Sequence, residues 1–444
     1  MSQDARQLLK DLSQHQLVDG YPLVVDLDRC HGSWIYDRVN ECEYLDVFTC
    51  FASWPLGYNH PKFQDARTLE SINRAALSKI ANSDLYCEDL CEFVHSFATH
   101  ATPDGFPHHF WVSGGSLAVE NAMKTAFDWK ARKLGRTDFG DCVNDLTILH
   151  FKQAFHGRSG YTMSVTNTLP DKVGLFPKFD WPRVHNPAIH FDHDGNICND
   201  IEAEEARACA EIEAAFEHAA ANGTHIAGIL IEPMQGEGGD NHFRTEFLQS
   251  LRNYADEREA LLIFDEVQTG FFGSGKPWLW QHHGVAPDVV SFGKKTQVCG
   301  LYASTRIDEV EENVFERSSR INSTWGGNLV DMVRCRRFID IIVEDNLADH
   351  ITAVGDHIMS GLRSIAADTG AFKSVRGHGS LIAFTFDPPE ARREMLAALF
   401  AKHVIALPCG DQSVRFRLPL NFSMDEADEL LNRVQSCVPL ATRA

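Results

Sequence analysis

The sequence has no apolar run approaching the roughly 18 residues that a bilayer-spanning helix needs. Channels and transporters built from such helices are therefore excluded. Its opening stretch, MSQDARQLLKDLSQHQLVDG, lacks the apolar core of a secretion signal, so a cytoplasmic protein is expected. Positive charge is scarce: Lys and Arg number 41 against 62 Asp and Glu, for a net charge of −21. That balance argues against nucleic acid or anionic membrane as the main partner, while leaving room for a locally basic pocket. Twelve cysteines are present, but no two pairs stand at zinc spacing. Cys87 and Cys91 lie one helical turn apart in YCEDLCEF without a second pair, and read as small buried residues kept reduced. His108-His109 and His282-His283 are adjacent, not one turn apart on a helix, and no metal is expected. Internal repeats, linkers and low-complexity tracts are also lacking. The 444 residues suffice for two to three domains with a large buried core.

What is there is organised around Ala227 to Gly270. Ile226–Ile231 and Ala260–Phe264 are apolar runs of strand length. Between them Phe247, Leu248, Leu251, Tyr254 and Ala255 recur at helical spacing, with charges on the other face. This is a strand–helix–strand unit, the building block of a parallel sheet covered by helices. Glu232 follows the first strand, and Asp265 and Glu266 follow the second. The run Val289-Val290-Ser291-Phe292-Gly293-Lys294 then delivers a lysine to the same edge. Ligands of such sheets sit at the carboxyl ends of the strands. A carboxylate and a lysine together there suggest Schiff-base chemistry on a pyridine cofactor.

Along the chain, residues 1–60 read as strands and turns, including YPLVVDLDRC and SWIYDRVNECEYLDVF. In WVSGGSLAVENAMKTAFDWKARKLG a strand leads through Ser113-Gly114-Gly115-Ser116 into a helix, with Glu120–Lys124 as an i,i+4 pair and Gly135 as its stop. Free N–H groups at such a turn suit a phosphate, though an ordinary strand-to-helix turn looks the same. Leu146–Phe151 is a strand leading to Phe155-His156-Gly157-Arg158. Residues 172–199 read as a surface excursion, and IEAEEARACAEIEAAFEHAAANG as a helix closed by Asn222-Gly223. A long helix is expected from Leu329, bridging to C-terminal strands and to helices near Pro389–His403 and Asp425–Val438.

IFDEVQTGFFGSG, PDVVSFGKK and NSTWGGN resemble the signatures of class III (omega-type) pyridoxal phosphate aminotransferases. The resemblance runs from LGYNHP to VRFRLPL, nearly the whole chain. EPMQGEGGDNHFR, FHGRSGYT and GKKTQVCG taken together are most similar to the members that act on the ε-amine of lysine. The resemblance implies an α/β chain of fold type I, with an arm (1–60), a large cofactor domain with a mainly parallel seven-stranded sheet (61–330) and a small α+β domain (331–444).

It further implies pyridoxal 5'-phosphate as cofactor, with roles that follow residue by residue. Lys294 is the Schiff-base lysine, with Lys295 the competing choice. Asp265 pairs with the pyridine nitrogen, and Gln268 reaches the phenolic oxygen. Phe155 and Val267 flank the ring, and Gly115 and Ser116 contact the phosphate. Thr324 matches the residue given to the phosphate by a second subunit, so a homodimer is expected. Arg158 matches the arginine that holds the substrate carboxylate, and Asn322 is placed beside the substrate. Glu237 and Arg415 match a pair in which the glutamate masks the arginine in one half-reaction only; Arg417 is the alternative partner, and a structural salt bridge the plain alternative. The implied substrates are L-lysine and 2-oxoglutarate, with 4-aminobutyrate or ornithine as the rival donors. A scaffold kept only for binding or regulation is the other class of reading. Such a scaffold has no need of Lys294, Asp265 and Gln268 together.

Overall fold

The computed structural model describes residues 4–140, 143–192 and 194–441. At its centre is a seven-stranded sheet whose strands, in chain order, are β1 (His108–Val112), β2 (Leu146–Phe151), β3 (Arg183–Val184), β4 (His225–Ile231), β5 (Leu261–Asp265), β6 (Val289–Phe292) and β7 (Cys299–Ala303). They are ordered β1-β7-β6-β5-β4-β2-β3, and only β7 runs against the rest. The principal helices are α1 (Gly115–Lys133), α2 (Ile201–Ala221), α3 (Thr245–Glu257), α4 (Leu329–Glu344) and α5 (Leu347–Thr369). The unit β4–α3–β5 forms as its pattern dictates, with Gly228 opposite Leu261 and Ile231 opposite Phe264.

Helices cover both faces of this sheet, which is why its strands read as unbroken apolar runs. Leu230, Ile263 and Leu301 face Val119, Met123 and Ala126 of α1. Their alternating neighbours Ile229, Ile231, Leu262 and Phe264 face Phe247, Leu248 and Leu251 of α3 and Ile212 of α2. Because the covered strands other than β7 run parallel, their carboxyl ends meet at one edge. That edge carries Ser113–Ser116, the loop after Phe151, Glu232, Asp265 and Lys294.

Two smaller sheets lie outside it. Lys373–His378, Leu381–Thr385, Ser413–Arg417 and Leu407–Cys409 form an antiparallel sheet of four. Trp34–Asp37 and Cys42–Asp46 pair with each other, and Val404 aligns with Leu45, so the N-terminal strands join the C-terminal region. Three expectations are corrected. YPLVVDLDRC is not a regular strand, and only Val25 bridges, to Asp37. Ala5–Ser13 is a helix, capped by the Asp4 side chain. The long helix from Leu329 ends at Glu344, and α5 starts afresh after Asn346, whose left-handed backbone (φ 49°, ψ 45°) breaks the axis. Among the described residues no helix is long and apolar enough to cross a membrane.

Candidate active site

The site begins at the glycine turn. Gly114 (φ 109°) caps α1, leaving the first N–H groups of a 19-residue helix open. A Cβ on Gly115 would lie 2.8 Å from Val267 Cγ1, so the absence of a side chain lets this turn close on the residue two past Asp265. Ser116 Oγ lies 2.6 Å from Ser159 Oγ and 2.7 Å from Thr162 Oγ1, tying the turn to the loop after β2. Glu120, expected to pair with Lys124, instead accepts from Ser159 Oγ (2.8 Å) and the Tyr161 amide (2.9 Å).

At the end of β5 the Asp265 carboxylate is 4% exposed. It accepts from the Val267 amide at 3.0 Å and lies 2.8 Å from His156 Nδ1. The other ring nitrogen of His156, Nε2, is buried without a partner. Glu232 accepts from the amides of Phe155 (3.0 Å) and Gly236 (3.1 Å), and burial pushes its carboxyl up to about 7.

Lys294 stands in the left-handed region (φ 55°), a conformation that costs a residue with a Cβ about 1–2 kcal/mol. Its ammonium makes no hydrogen bond or ion pair among the described residues. Burial first, and then the Arg415 charge, push it down to about 8, against the pull of Asp265 and Glu232. Lys295 is turned away: it is 2% exposed and donates to the Gln268 carbonyl at 2.9 Å. The free amine in reach of Asp265 is therefore that of Lys294.

Phe155 is half-buried, with Lys172 Nζ 5.3 Å from its ring centre. Gln268 Oε1 accepts from Arg415 Nη1 and Arg417 Nη2, each at 2.9 Å. Arg417 is committed elsewhere, because it grips Asp240 with two nitrogens and both side chains are 1% exposed. Among the described residues the Arg415 side chain has that one hydrogen bond, to Gln268, and its Nε is buried and unpartnered. The expected Glu237–Arg415 pair is not formed. Glu237 instead accepts from Thr168 Oγ1 (2.7 Å) and from Lys172 Nζ. Glu237, Lys172, Thr168 and Arg415 share one cavity of about 290 Å³.

Arg158 is exposed and free of ion pairs among the described residues. Asn322 and Thr324 are exposed as well. Asn322 lines a separate apolar cavity of about 720 Å³ with Cys87, Cys91 and Trp111. No group of His, Cys, Asp and Glu suited to a metal is found among the described residues. His156, Lys172 and Thr168 were not singled out from the sequence. His156 adjoins Phe155 in the FHGR run, but no local pattern there marks its partner.

A family model described as Aminotransferase class-III matches residues 17–438. The chain belongs to the class III aminotransferases. The L-lysine-epsilon aminotransferase of Streptomyces clavuligerus is 45% identical over 440 residues, covering 98% of this chain and 94% of that protein. The mitochondrial 4-aminobutyrate aminotransferase of Rattus norvegicus is 31% identical, covering 96% of this chain and 87% of that one. The solved lysine aminotransferase of M. tuberculosis superposes with a TM-score of 0.93 at 43% identity, covering 99% of this chain and all of that one. This class III aminotransferase depends on pyridoxal phosphate. Its residues fit that group: an open helix N-terminus beside a turn only glycine permits, a buried carboxylate at the strand end, and an uncommitted amine opposite.

Proposed function

We propose that this aminotransferase moves the ε-amino group of L-lysine to 2-oxoglutarate by a ping-pong mechanism, giving 2-aminoadipate 6-semialdehyde, which cyclises to a piperideine carboxylate, and L-glutamate. The observation that carries the reading is near-full-length identity of 45% to a lysine-epsilon enzyme, against 31% to a 4-aminobutyrate enzyme. When bound, pyridoxal phosphate supplies the electron sink that makes the proton beside the transferred nitrogen removable.

The chain's residues do the rest. Gly115, Ser116 and the N-terminus of α1 would hold the phosphate. Asp265, oriented by His156, would keep a proton on the ring nitrogen. Val267 and Phe155 would hold the ring, and Gln268, carried by Arg415 and Arg417, would hold its phenolic oxygen. Lys294 would supply the amine that binds the group and the base that moves the proton at the substrate carbon. Arg158, exposed and without an ion pair among the described residues, holds the carboxylate of lysine, so that the ε-amine enters first. Asn322 assists at the substrate. For a dicarboxylate, Arg415 takes the second charge, with Glu237 as the gate over it.

The active unit is a homodimer in which Thr324 completes the partner copy's phosphate site. Support comes from the exposure of Thr324 and its lack of a hydrogen bond among the described residues. The apolar cavity beside Asn322 adds to it, as do the exposed Tyr86 (80%) and Trp325 (41%). The deciding experiment mixes purified, cofactor-loaded protein with lysine, ornithine or 4-aminobutyrate separately and follows the cofactor's visible absorbance. Rapid bleaching by lysine is expected; faster bleaching by either rival would reassign the donor.

A further inference from the structure

The cavity between the loop after β2 and the sheet containing Arg415 is lined by three cations, Lys172, Arg392 and Arg415, and two carboxylates, Glu237 and Asp411; Arg392 donates to the Gly410 carbonyl at 2.7 Å. Glu237 lies against Lys172 and Thr168. Arg415 is 3% exposed and has an unpartnered Nε, yet it lines the same cavity and feels the Glu237 charge. A buried guanidinium with an unused donor is costly, and an anion reaching it gains correspondingly. Of the three cations Lys172 holds Glu237 and Arg415 feels its charge, so these two are its alternative seats in one chamber. Lys172 stands on a four-residue helical turn (Pro170–Val173) and is still 29% exposed, so its long stem can hold or release a carboxylate without moving the core.

On the proposed reading of Glu237 as a gate, we infer that Lys172, assisted by Thr168, is the specificity-positioning residue that holds the gate open. It draws Glu237 off Arg415, so that a dicarboxylic substrate finds the arginine uncovered. When lysine is the donor, Glu237 crosses to Arg415 and Lys172 turns to solvent or to the Phe155 ring, 5.3 Å from its ammonium. The preference between the two half-reactions is then set by competition of Lys172 and Arg415 for one carboxylate. Neither cation needs to touch the reacting nitrogen.

The test compares Lys172→Met, Lys172→Arg, Thr168→Val, Glu237→Ala and the Lys172→Met/Glu237→Ala double variant. Two readouts are taken: single-turnover rates with lysine and with glutamate, and calorimetric affinity for glutarate, an unreactive dicarboxylate. Without Lys172 the gate closes. Glutarate affinity and the glutamate-to-lysine rate ratio should each fall about tenfold, carried mainly by a higher glutamate KM, while Lys172→Arg restores both. Thr168→Val should shift both in the same direction by less. In the Glu237→Ala background the Lys172 change should have no further effect, because the gate it positions is gone. The inference is overturned if Lys172→Met lowers both half-reactions in parallel, leaves the ratio unchanged, or acts equally in the absence of Glu237. If the wild type fails to react with lysine at all, it is the donor assignment that falls, and the glutarate arm still decides the role of Lys172.

Discussion

A lysine amine is a nucleophile only after losing its proton, and at Lys294 burial and the Arg415 charge bring that loss down to about 8. An ordinary lysine keeps its proton until about 10.4. The rate at which cofactor-free protein attaches pyridoxal phosphate should therefore rise from pH 7 and level off roughly one unit above that midpoint. A rate still climbing toward pH 10.5 would show an unshifted amine. Lys294→Ala should abolish turnover while the phosphate turn and Asp265 still retain cofactor, and borohydride trapping in the wild type should mark Lys294 and not Lys295. His156 acts through another residue. Its Nδ1 holds the Asp265 carboxylate at 2.8 Å. His156→Phe should lower kcat by about 10- to 100-fold, the scale of one charged hydrogen bond. It should also move the pH at which the bound cofactor's absorbance changes, a shift that mere loosening of the core would not produce. Steady-state kinetics beside a spectroscopic pH titration separates the two.

At the scale of elements, α1 is held by its turn as much as by its apolar face. Gly115→Ala would drive a Cβ to 2.8 Å from Val267 Cγ1, at the junction between the phosphate turn and the ring site. Cofactor affinity should fall by about tenfold or more, while the thermal midpoint of the cofactor-free protein changes little, since the Val267 side chain can yield when no ring is present. Equilibrium dialysis and a melting curve check both halves. The strands β4, β5 and β6 were readable in advance because residues buried on both faces leave an unbroken apolar run, and α3 because its stripe repeats at helical spacing. The break before α5 was not, because one residue's left-handed backbone at Asn346 leaves no mark on the periodicity. The same limit applies in the site. Lys294, Asp265 and Glu232 were placed together because each ends a strand of one sheet. His156 meets Asp265 across 109 positions and Lys172 meets Glu237 across 65, and such pairings depend on how loops close over the edge. The expected Glu237–Arg415 pair missed the second cation for this reason.

The whole molecule carries a net charge of −21, yet with Arg417 paired to Asp240 and Lys172 to Glu237 it leaves the buried Arg415 without an ion pair among the described residues. One uncovered guanidinium in an anionic body favours small carboxylates over large polyanions, in keeping with amino and oxo acids as substrates. Whether one chain suffices for the reaction depends on Thr324, which is exposed and makes no hydrogen bond among the described residues. If it serves the neighbouring copy, two defective variants should repair each other. In a dimer of one Lys294→Ala chain and one Thr324→Ala chain, the site built on the first has neither its lysine nor the donated threonine. The site built on the second has both, because its lysine is intact and its threonine comes from the first chain. Random reassortment of equal amounts makes half the dimers hybrid, each with one complete site, so about a quarter of wild-type activity should appear above that of the unmixed variants. The measurement is activity at limiting cofactor, before and after unfolding and refolding the two together. Should Thr324 act within its own chain, no site in the hybrid would hold both residues, and mixing would give only the average of the two parents.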